Sequence, residues 1–411
     1  MGKERPLGHL THPGRPAIIF AVKMMTRYTR RLALPTRSFF LFGPRGTGKT
    51  TWLRQELTAA RWYDLILDRE VLRLTRDPEL FTQEVEALPR GAWVVVDEVQ
   101  RLPALLNDVQ ALIARHGHRV RFALTGSSAR RLRREQANLL AMRLVNRQFF
   151  PLTAAELGDH FAIENVLRFG TLPAVATART HAERIDLLEA YAANYLAQEI
   201  RAEALVKRLD AFTRFLDVAA LANGQVTNLA GIARDAAVAR PTVQGYFEIL
   251  TDTLIGTLLP AWRARAKVKE VAHPKFFFFD PGVVRSLTGR LHEPLHESER
   301  GALLETYVLG ELRAWLNVAG AGGQLAYWRT PAGSEVDFVW SRGAHAVGIE
   351  VKASARWRTG DGRALREMVA SRVVRRGFGV YLGSTAMRDD RIDVLPLRAF
   401  LDRLYAGKVI G

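Results

Sequence analysis

Short apolar runs punctuate the first third of the chain at intervals long enough to hold a helix. Ser38-Phe-Phe-Leu-Phe42, Tyr63–Leu67, Trp93-Val-Val-Val96 and Arg121-Phe-Ala-Leu-Thr125 read as strands, and Phe149-Phe-Pro-Leu152 reads as the strand that closes the unit. Apolar runs without alternation belong to strands buried on both faces, so the pattern predicts a parallel sheet covered by helices on each side. A helix over Thr50–Thr58 follows the first run. Beyond residue 152 the period changes. Residues 153–205 read as helical, with Leu187, Leu188, Tyr191, Tyr195 and Leu196 at helical spacing.

The stretch from Ala211 to Trp262 predicts three helices and a strand pair. Phe212, Phe215, Leu216, Ala219 and Ala220 line one helix that stops at Asn223-Gly224, Asn228 opens a second, and Arg240-Pro-Thr-Val opens a third. Thr253–Pro260 and Phe276–Phe279 read as paired strands. From about Gly301 the order is helix, three strands, helix, strand: Leu303–Leu316, Leu325–Arg329, Val336–Trp340, Val347–Val351, Ala364–Val374 and Gly379–Leu382. Residues 1–24 show no period and read as an unstructured leader, and Met24 or Met25 could be the true start.

The 411 residues favour two or three domains, and 48% hydrophobic with 25% charged residues is an ordinary globular balance. No run approaches the roughly 18 apolar residues of a membrane span. A cytoplasmic protein away from membranes is expected. Cysteine is absent, which excludes disulfides, cysteine zinc sites and thiol catalysis. The formal net charge of +17 favours a polyanionic partner, with DNA first, although a general preference for arginine would give the same excess.

Gly43-Pro44-Arg45-Gly46-Thr47-Gly48-Lys49-Thr50, followed by Thr51, fits the glycine-rich phosphate loop between a strand and a helix. The glycines let backbone amides turn toward phosphate oxygens, Lys49 adds charge at the β- and γ-phosphates, and the helix N-terminus faces the anion. Thr50 offers its hydroxyl to Mg²⁺. Asp97, at the end of a buried strand, is the second magnesium-side residue, and Glu98 the residue that orients or deprotonates water. ATP and Mg²⁺ are the expected cofactors. Thr125-Gly-Ser127-Ser128 ends the next strand, with Ser127 or Thr125 as the polar sensor of the γ-phosphate. Arg130, Arg131, Arg133, Arg134, Arg143 and Arg147 follow, and Arg143 is the best placed to reach a neighbouring subunit's ATP.

Leu-Phe-Gly-Pro-Arg at 41–45, Asp-Glu-Val-Gln-Arg-Leu-Pro at 97–103, Leu-Thr-Gly-Ser-Ser at 124–128, Leu-Leu-Ala-Met-Arg at 139–143, Tyr327-Trp328-Arg329 and Glu335-Val-Asp-Phe338 together resemble a prokaryotic family of AAA+ ATPases that carry a C-terminal domain of unknown function. Met142 stands where that family has glycine, and Arg143 is retained. The resemblance implies a sheet in which the Thr125 strand lies between the two motif strands, a hexamer-like ring or helical homo-oligomer, and an arginine finger at Arg143. Asp337 followed by Glu350-Val-Lys352 resembles the core of PD-(D/E)XK nucleases. Alternation puts Glu350 and Lys352 on one face of a strand, where Asp337 and Glu350 can share Mg²⁺ or Mn²⁺ and Lys352 can position water. Glu305 matches that fold's helical carboxylate. Ala211–Trp262 resembles a winged helix, with Thr242 and Gln244 on the recognition helix and Arg263, Arg265, Lys267 and Lys269 in a basic wing.

The expected fold class is α/β: leader 1–24, P-loop AAA+ core 25–152, helical lid 153–208, winged-helix module 209–290 and nuclease-like α/β domain 291–411. Three functions stay open. The first is an oligomeric Mg-ATPase acting on DNA, the second an ATP-driven protein remodeller or switch, and the third an ATP-regulated metal-dependent nuclease.

Overall fold

The computed structural model describes residues 28–127, 143–193 with the backbone on to 196, 209–263 and 273–410. The leader, Ser128, the arginines from 130 to 134, Met142 and the wing residues Arg265, Lys267 and Lys269 lie outside the described residues. Strands β1 (Phe39–Phe42), β2 (Arg61–Asp64), β3 (Trp93–Asp97), β4 (Arg121–Gly126) and β5 (Val145–Gln148) form a wholly parallel sheet in the order β2-β3-β4-β1-β5. Side-chain alternation decides which face each residue serves. Phe40, Val94, Val96, Phe122 and Leu124 pack against the helices Leu80–Glu86 and Leu105–His116. Phe39, Leu41, Val95 and Ala123 pack on the other face against Trp52 and Leu53 of the helix Lys49–Glu56. Both faces are buried, which is why the strands read as continuous apolar runs.

Two strand expectations move. The last strand is Val145–Gln148 rather than Phe149–Leu152. Its ladder ends where the Phe149 amide donates to the Phe42 carbonyl at 2.7 Å, and Pro151 has no N–H to continue it. Phe149 instead packs on Trp52, with ring centroids 5.5 Å apart. The second strand is Arg61–Asp64 rather than Tyr63–Leu67. Leu65 still donates to the Asp97 carbonyl at 3.1 Å, but Ile66 and Leu67 turn outward and lead into the helix Asp68–Arg76.

Beyond the sheet come short helices: Ala154–Leu157, Ile163–Phe169, Pro173–Thr177 and His181–Ala190, the last continuing into a π-helical turn, Tyr191–Leu196. Helices Leu209–Leu221, Leu229–Asp235 and Arg240–Asp252 precede an antiparallel pair, β6 (Gly256–Leu259) and β7 (Lys275–Phe278). The 23-residue helix Glu297–Ala319 leads to β8 (Gln324–Arg329), β9 (Glu335–Arg342), β10 (His345–Lys352), β11 (Arg376–Tyr381), β12 (Met387–Asp389) and β13 (Ile392–Pro396). These form a mixed sheet in the order β12-β13-β11-β10-β9-β8. One apolar core runs without a break from Leu152 through the helices to Ile410.

That core encloses a carboxylate. Glu311, on the long helix, accepts the Ala154 amide at 2.6 Å, the Tyr405 hydroxyl at 2.9 Å and the Tyr307 hydroxyl. It thereby joins the first helix after the parallel sheet to the last helix of the chain. Burial raises its carboxyl to about 7, against the hydrogen bonds, which act to lower it. The folded state therefore holds this proton at a pH where the unfolded chain, with a value near 4.5, has released it. Stability from this group increases as pH falls from about 7 toward 4.5. Burial also raises Asp280, to about 6, which adds slope of the same sign. Glu311→Gln should leave only the remaining slope, so urea midpoints measured across this window should rise less on acidification than in the wild type.

Candidate functional site

The phosphate loop leaves β1 at Gly43. The Gly43 amide donates to the Gly126 carbonyl at 3.4 Å, and a Cβ built there would stand 2.4 Å from the Phe149 carbonyl oxygen. Any side chain at 43 would push the loop off the sheet. Gly48 has φ 92° and caps the helix Lys49–Glu56, a left-handed conformation that favours glycine. Lys49, only 5% exposed, donates to the loop's own carbonyls at Gly43 (2.7 Å) and Pro44 (3.2 Å). The Thr47 hydroxyl donates to the Pro44 carbonyl at 2.8 Å, and the Arg45 carbonyl accepts the Tyr191 hydroxyl at 3.2 Å. Gly46 packs near the Tyr191 ring, while Thr51 is exposed on the helix.

Thr50 Oγ1 donates to Asp97 Oδ2 at 2.8 Å, and Thr125 Oγ1 donates to Asp97 Oδ1. Asp97 is fully buried at the end of β3. Burial raises its carboxyl, opposed by the two threonine hydrogen bonds and by Lys49. A divalent cation beside such a carboxylate would favour its ionised form. Hydroxyl and carboxylate oxygens are hard ligands, the type that Mg²⁺ prefers.

Glu98 follows at φ 58° and ψ 50°, a left-handed position costing a non-glycine residue of order 1–3 kcal/mol. Its amide donates to Thr125 Oγ1 at 2.9 Å. Glu98 Oε2 accepts from Gln100 Nε2 and, at 3.4 Å, from Ser127 Oγ. Gln100 Nε2 also donates to Ser127 Oγ at 3.1 Å. Gln100 is a residue that the sequence reading missed, although it lies inside the quoted 97–103 motif. Arg143 stands apart from this cluster. It is exposed, it lies in the turn before β5 rather than in a described helix, and its Nη1 donates to the Gln110 carbonyl at 3.3 Å.

Arg30 was also missed. Its guanidinium, 8% exposed, donates to Glu156 Oε1 (3.0 Å), the Thr47 carbonyl (2.7 Å) and the Phe150 carbonyl (2.7 Å), and it stacks 3.9 Å over the Phe149 ring. Glu156 completes a capping box with Thr153. One buried cation thus fastens the phosphate loop to the first helix beyond the sheet.

In the C-terminal sheet, Asp337 on β9 accepts the Val351 amide at 2.8 Å, and Lys352 donates to Glu350 Oε1 at 2.5 Å. Glu305, on the long helix, lies 3.3 Å from Lys275 Nζ, and Lys275 also bonds Glu335. Burial raises Asp337 and Glu350, and it raises Glu305 to about 8 with help from Asp337. Lys275 is held up by Glu305, Asp337 and Glu335 against the opposing effect of burial. The four expected residues therefore share one electrostatic neighbourhood. No group of three His, Asp or Glu side chains among the described residues is disposed to hold a metal ion.

Arg240 and Gln244 are exposed on the helix Arg240–Asp252, Thr242 is half-buried, and Arg263 is exposed. No described helix is long and apolar enough to cross a membrane.

Residues 35–158 match the AAA domain family. Residues 160–293 and 300–400 match two domains of unknown function, DUF8612 and DUF4143. Uncharacterized proteins of Mycobacterium bovis and Mycobacterium tuberculosis are each 30% identical over 322 residues, which is 77% of this chain and 70% of theirs. Among solved structures, the DNA-bound ORC1 protein of Aeropyrum pernix aligns at 14% identity over 62% of this chain and 87% of its own, with a TM-score of 0.32. The RuvB Holliday junction branch migration motor of Thermotoga maritima aligns at 15% identity over 55% and 82%, with a TM-score of 0.27. With its parallel sheet, phosphate loop and matched domains, the chain belongs to the AAA+ ATPase family that carries a C-terminal domain of unknown function.

Proposed function

We propose that this protein is a magnesium-dependent ATPase that hydrolyses ATP as a homo-oligomer in the cytoplasm and works on DNA. The observation that carries the reading is the Thr50 hydroxyl on Asp97, 2.8 Å apart, with Glu98 next in the chain at the end of β3. In this reading the ATPase unit spans 25–152, the lid 153–208, a winged-helix module 209–290 and the last domain 291–411.

ATP enters with its phosphates along the loop from Gly43 and Pro44 through Arg45, Gly46, Thr47, Gly48 and Lys49 to Thr50 and Thr51, held by the backbone amides other than that of Pro44. Lys49 exchanges the neutral carbonyls of Gly43 and Pro44 for phosphate oxygens, a charge-assisted bond roughly twice as strong as a neutral one. Thr50 and Asp97 would hold Mg²⁺, which would supply positive charge to screen the phosphates. Glu98 is the base for the attacking water. Gln100 and Ser127 hold its Oε2, so they set where the carboxylate points. Ser127 also reports the state of the γ-phosphate. Arg143, exposed and outside its own site's cluster, acts on the ATP of a neighbouring copy. The net charge of +17 and the exposed Arg240 and Gln244 support DNA as the partner.

Lys49→Ala should weaken ATP binding. Glu98→Gln should bind ATP nearly as wild type while turnover falls by about 10²-fold or more. Equilibrium nucleotide binding and steady-state phosphate release check both, and normal turnover of Glu98→Gln would remove Glu98 as the base.

Arg143→Ala should lower turnover by about 10³-fold at nearly unchanged ATP affinity. Mixing it with Lys49→Ala should restore part of the activity, because an intact loop on one subunit then meets an intact arginine on the next. A fully active monomer in sedimentation rules out this arrangement.

Turnover measured with and without duplex DNA tests the partner. DNA should stimulate hydrolysis, and binding should weaken by about 10³-fold or more between 50 and 200 mM salt if six or more phosphates are contacted. Salt-independent turnover unaffected by DNA would favour a protein client.

A further inference from the structure

Lys275 is the only charge at the head of a run of four phenylalanines, Phe276 to Phe279, and it enters the C-terminal carboxylates from a different part of the fold. It opens β7 opposite Leu259 of β6, is 4% exposed, and places Nζ 3.3 Å from Glu305 Oε2 and in a bond with Glu335 Oε1. The Tyr327 ring centroid lies 5.5 Å from the same nitrogen. On the far side, Lys352 Nζ takes Glu350 Oε1, while Glu350 Oε2 is buried without a hydrogen-bond partner. Asp337 Oδ2 is taken by the Val351 amide.

The residues of the resembled nuclease core therefore do not fit a metal as they stand. Mg²⁺ or Mn²⁺ needs several oxygens near 2.0–2.1 Å in an octahedral set, about one centre. Here one Glu350 oxygen, one Asp337 oxygen and the Glu305 side chain are already engaged with ammonium or amide donors. Bringing a dication to the space beside Lys275 Nζ would also set like charges against each other in a site with little water to screen them.

We propose that the Lys275 ammonium takes the place of a metal ion in this cluster: it closes the Glu305 and Glu335 carboxylates beside Asp337 and clasps the β6–β7 strand pair to the C-terminal sheet, so that a divalent cation is excluded while Lys275 is seated. The C-terminal domain is then an ion-paired clasp and does not cleave DNA by metal chemistry. The clasp is independent of the ATPase reading, since none of its residues touches the phosphate loop.

Mn²⁺ binding to the nucleotide-free full chain, followed by electron paramagnetic resonance, tests this. The wild type and Asp337→Asn should show the same weak uptake. Lys275→Met should gain Mn²⁺ affinity by about tenfold or more, because removing the buried ammonium takes the ion-pair partner from Glu305. Adding Asp337→Asn to Lys275→Met should abolish the gain. Mn²⁺ bound by the wild type and lost in Asp337→Asn overturns the proposal, and that comparison decides it even if Lys275→Met does not fold. A folded Lys275→Met chain that binds no more Mn²⁺ than the wild type overturns it as well.

Discussion

The buried Asp97 carboxylate constrains everything around it. Both oxygens are held by hydroxyls, Oδ2 by Thr50 at 2.8 Å and Oδ1 by Thr125. Those hydroxyls come from the helix after β1 and from β4. They can converge because β4 runs parallel between β3 and β1. Reversing or reordering one strand would leave an ionised group in the apolar interior, at a cost of several kcal/mol. The same hydroxyl of Thr125 takes the Glu98 amide and so fixes the left-handed turn from which Glu98 projects. Strand order, the reach of Thr50 and the aim of Glu98 are thus one geometric condition.

A second set of buried charges ties that condition to the remainder of the chain. Arg30 joins the Thr47 carbonyl to Glu156, and Glu156 completes the capping box of the helix whose Ala154 amide bonds Glu311. Glu311 reaches Tyr405 in the last helix. The links are hydrogen-bonded charges, whose geometry tolerates little drift before a buried partner is left unsatisfied. The phosphate loop at Thr47 is therefore joined, bond by bond, to Glu156 and to the long helix. Tyr191 adds a softer link, since its hydroxyl bonds the Arg45 carbonyl from a π-helical turn, a backbone form frequent at functional sites.

The parts legible in the sequence are those whose chemistry is local. The phosphate loop is eight successive residues, and Asp97-Glu98 stand directly behind an apolar strand. The three helices from Phe212 to Leu250 and the strand pair after them were legible because Asn228 and Pro241 mark helix starts and Asn223-Gly224 marks a stop. The Phe149–Leu152 run misled because hydrophobicity does not say whether a segment pairs or packs. Phe149 is as apolar as a strand residue, but its ring lies under Arg30 and beside Trp52. Gln100 looked like any polar residue in a turn until the 3₁₀ turn Val99–Arg101 aimed it back at Glu98. Arg30 and Glu156 are 126 residues apart, and nothing in either's neighbourhood encodes the other, though Thr153-x-x-Glu156 does announce a helix start.

Two lysines in this molecule occupy places where a ligand's charge is expected, and they differ in what holds them. Lys49 rests on peptide carbonyls, which are neutral acceptors, so a phosphate offers its ammonium a stronger bond than the one it leaves. Lys275 rests on carboxylates in a buried setting, so an entering cation must displace a bond between full charges while keeping the displaced ammonium solvated. The first arrangement would open to its ligand at lower cost, because the carbonyls of Gly43 and Pro44 are neutral acceptors. The second resists opening, because withdrawing Lys275 leaves Glu305 without its ion-pair partner and Glu335 with Arg329 alone, at 3.6 Å. Both ammonium groups are buried. The charge of their acceptors makes one a receptor and the other a clasp.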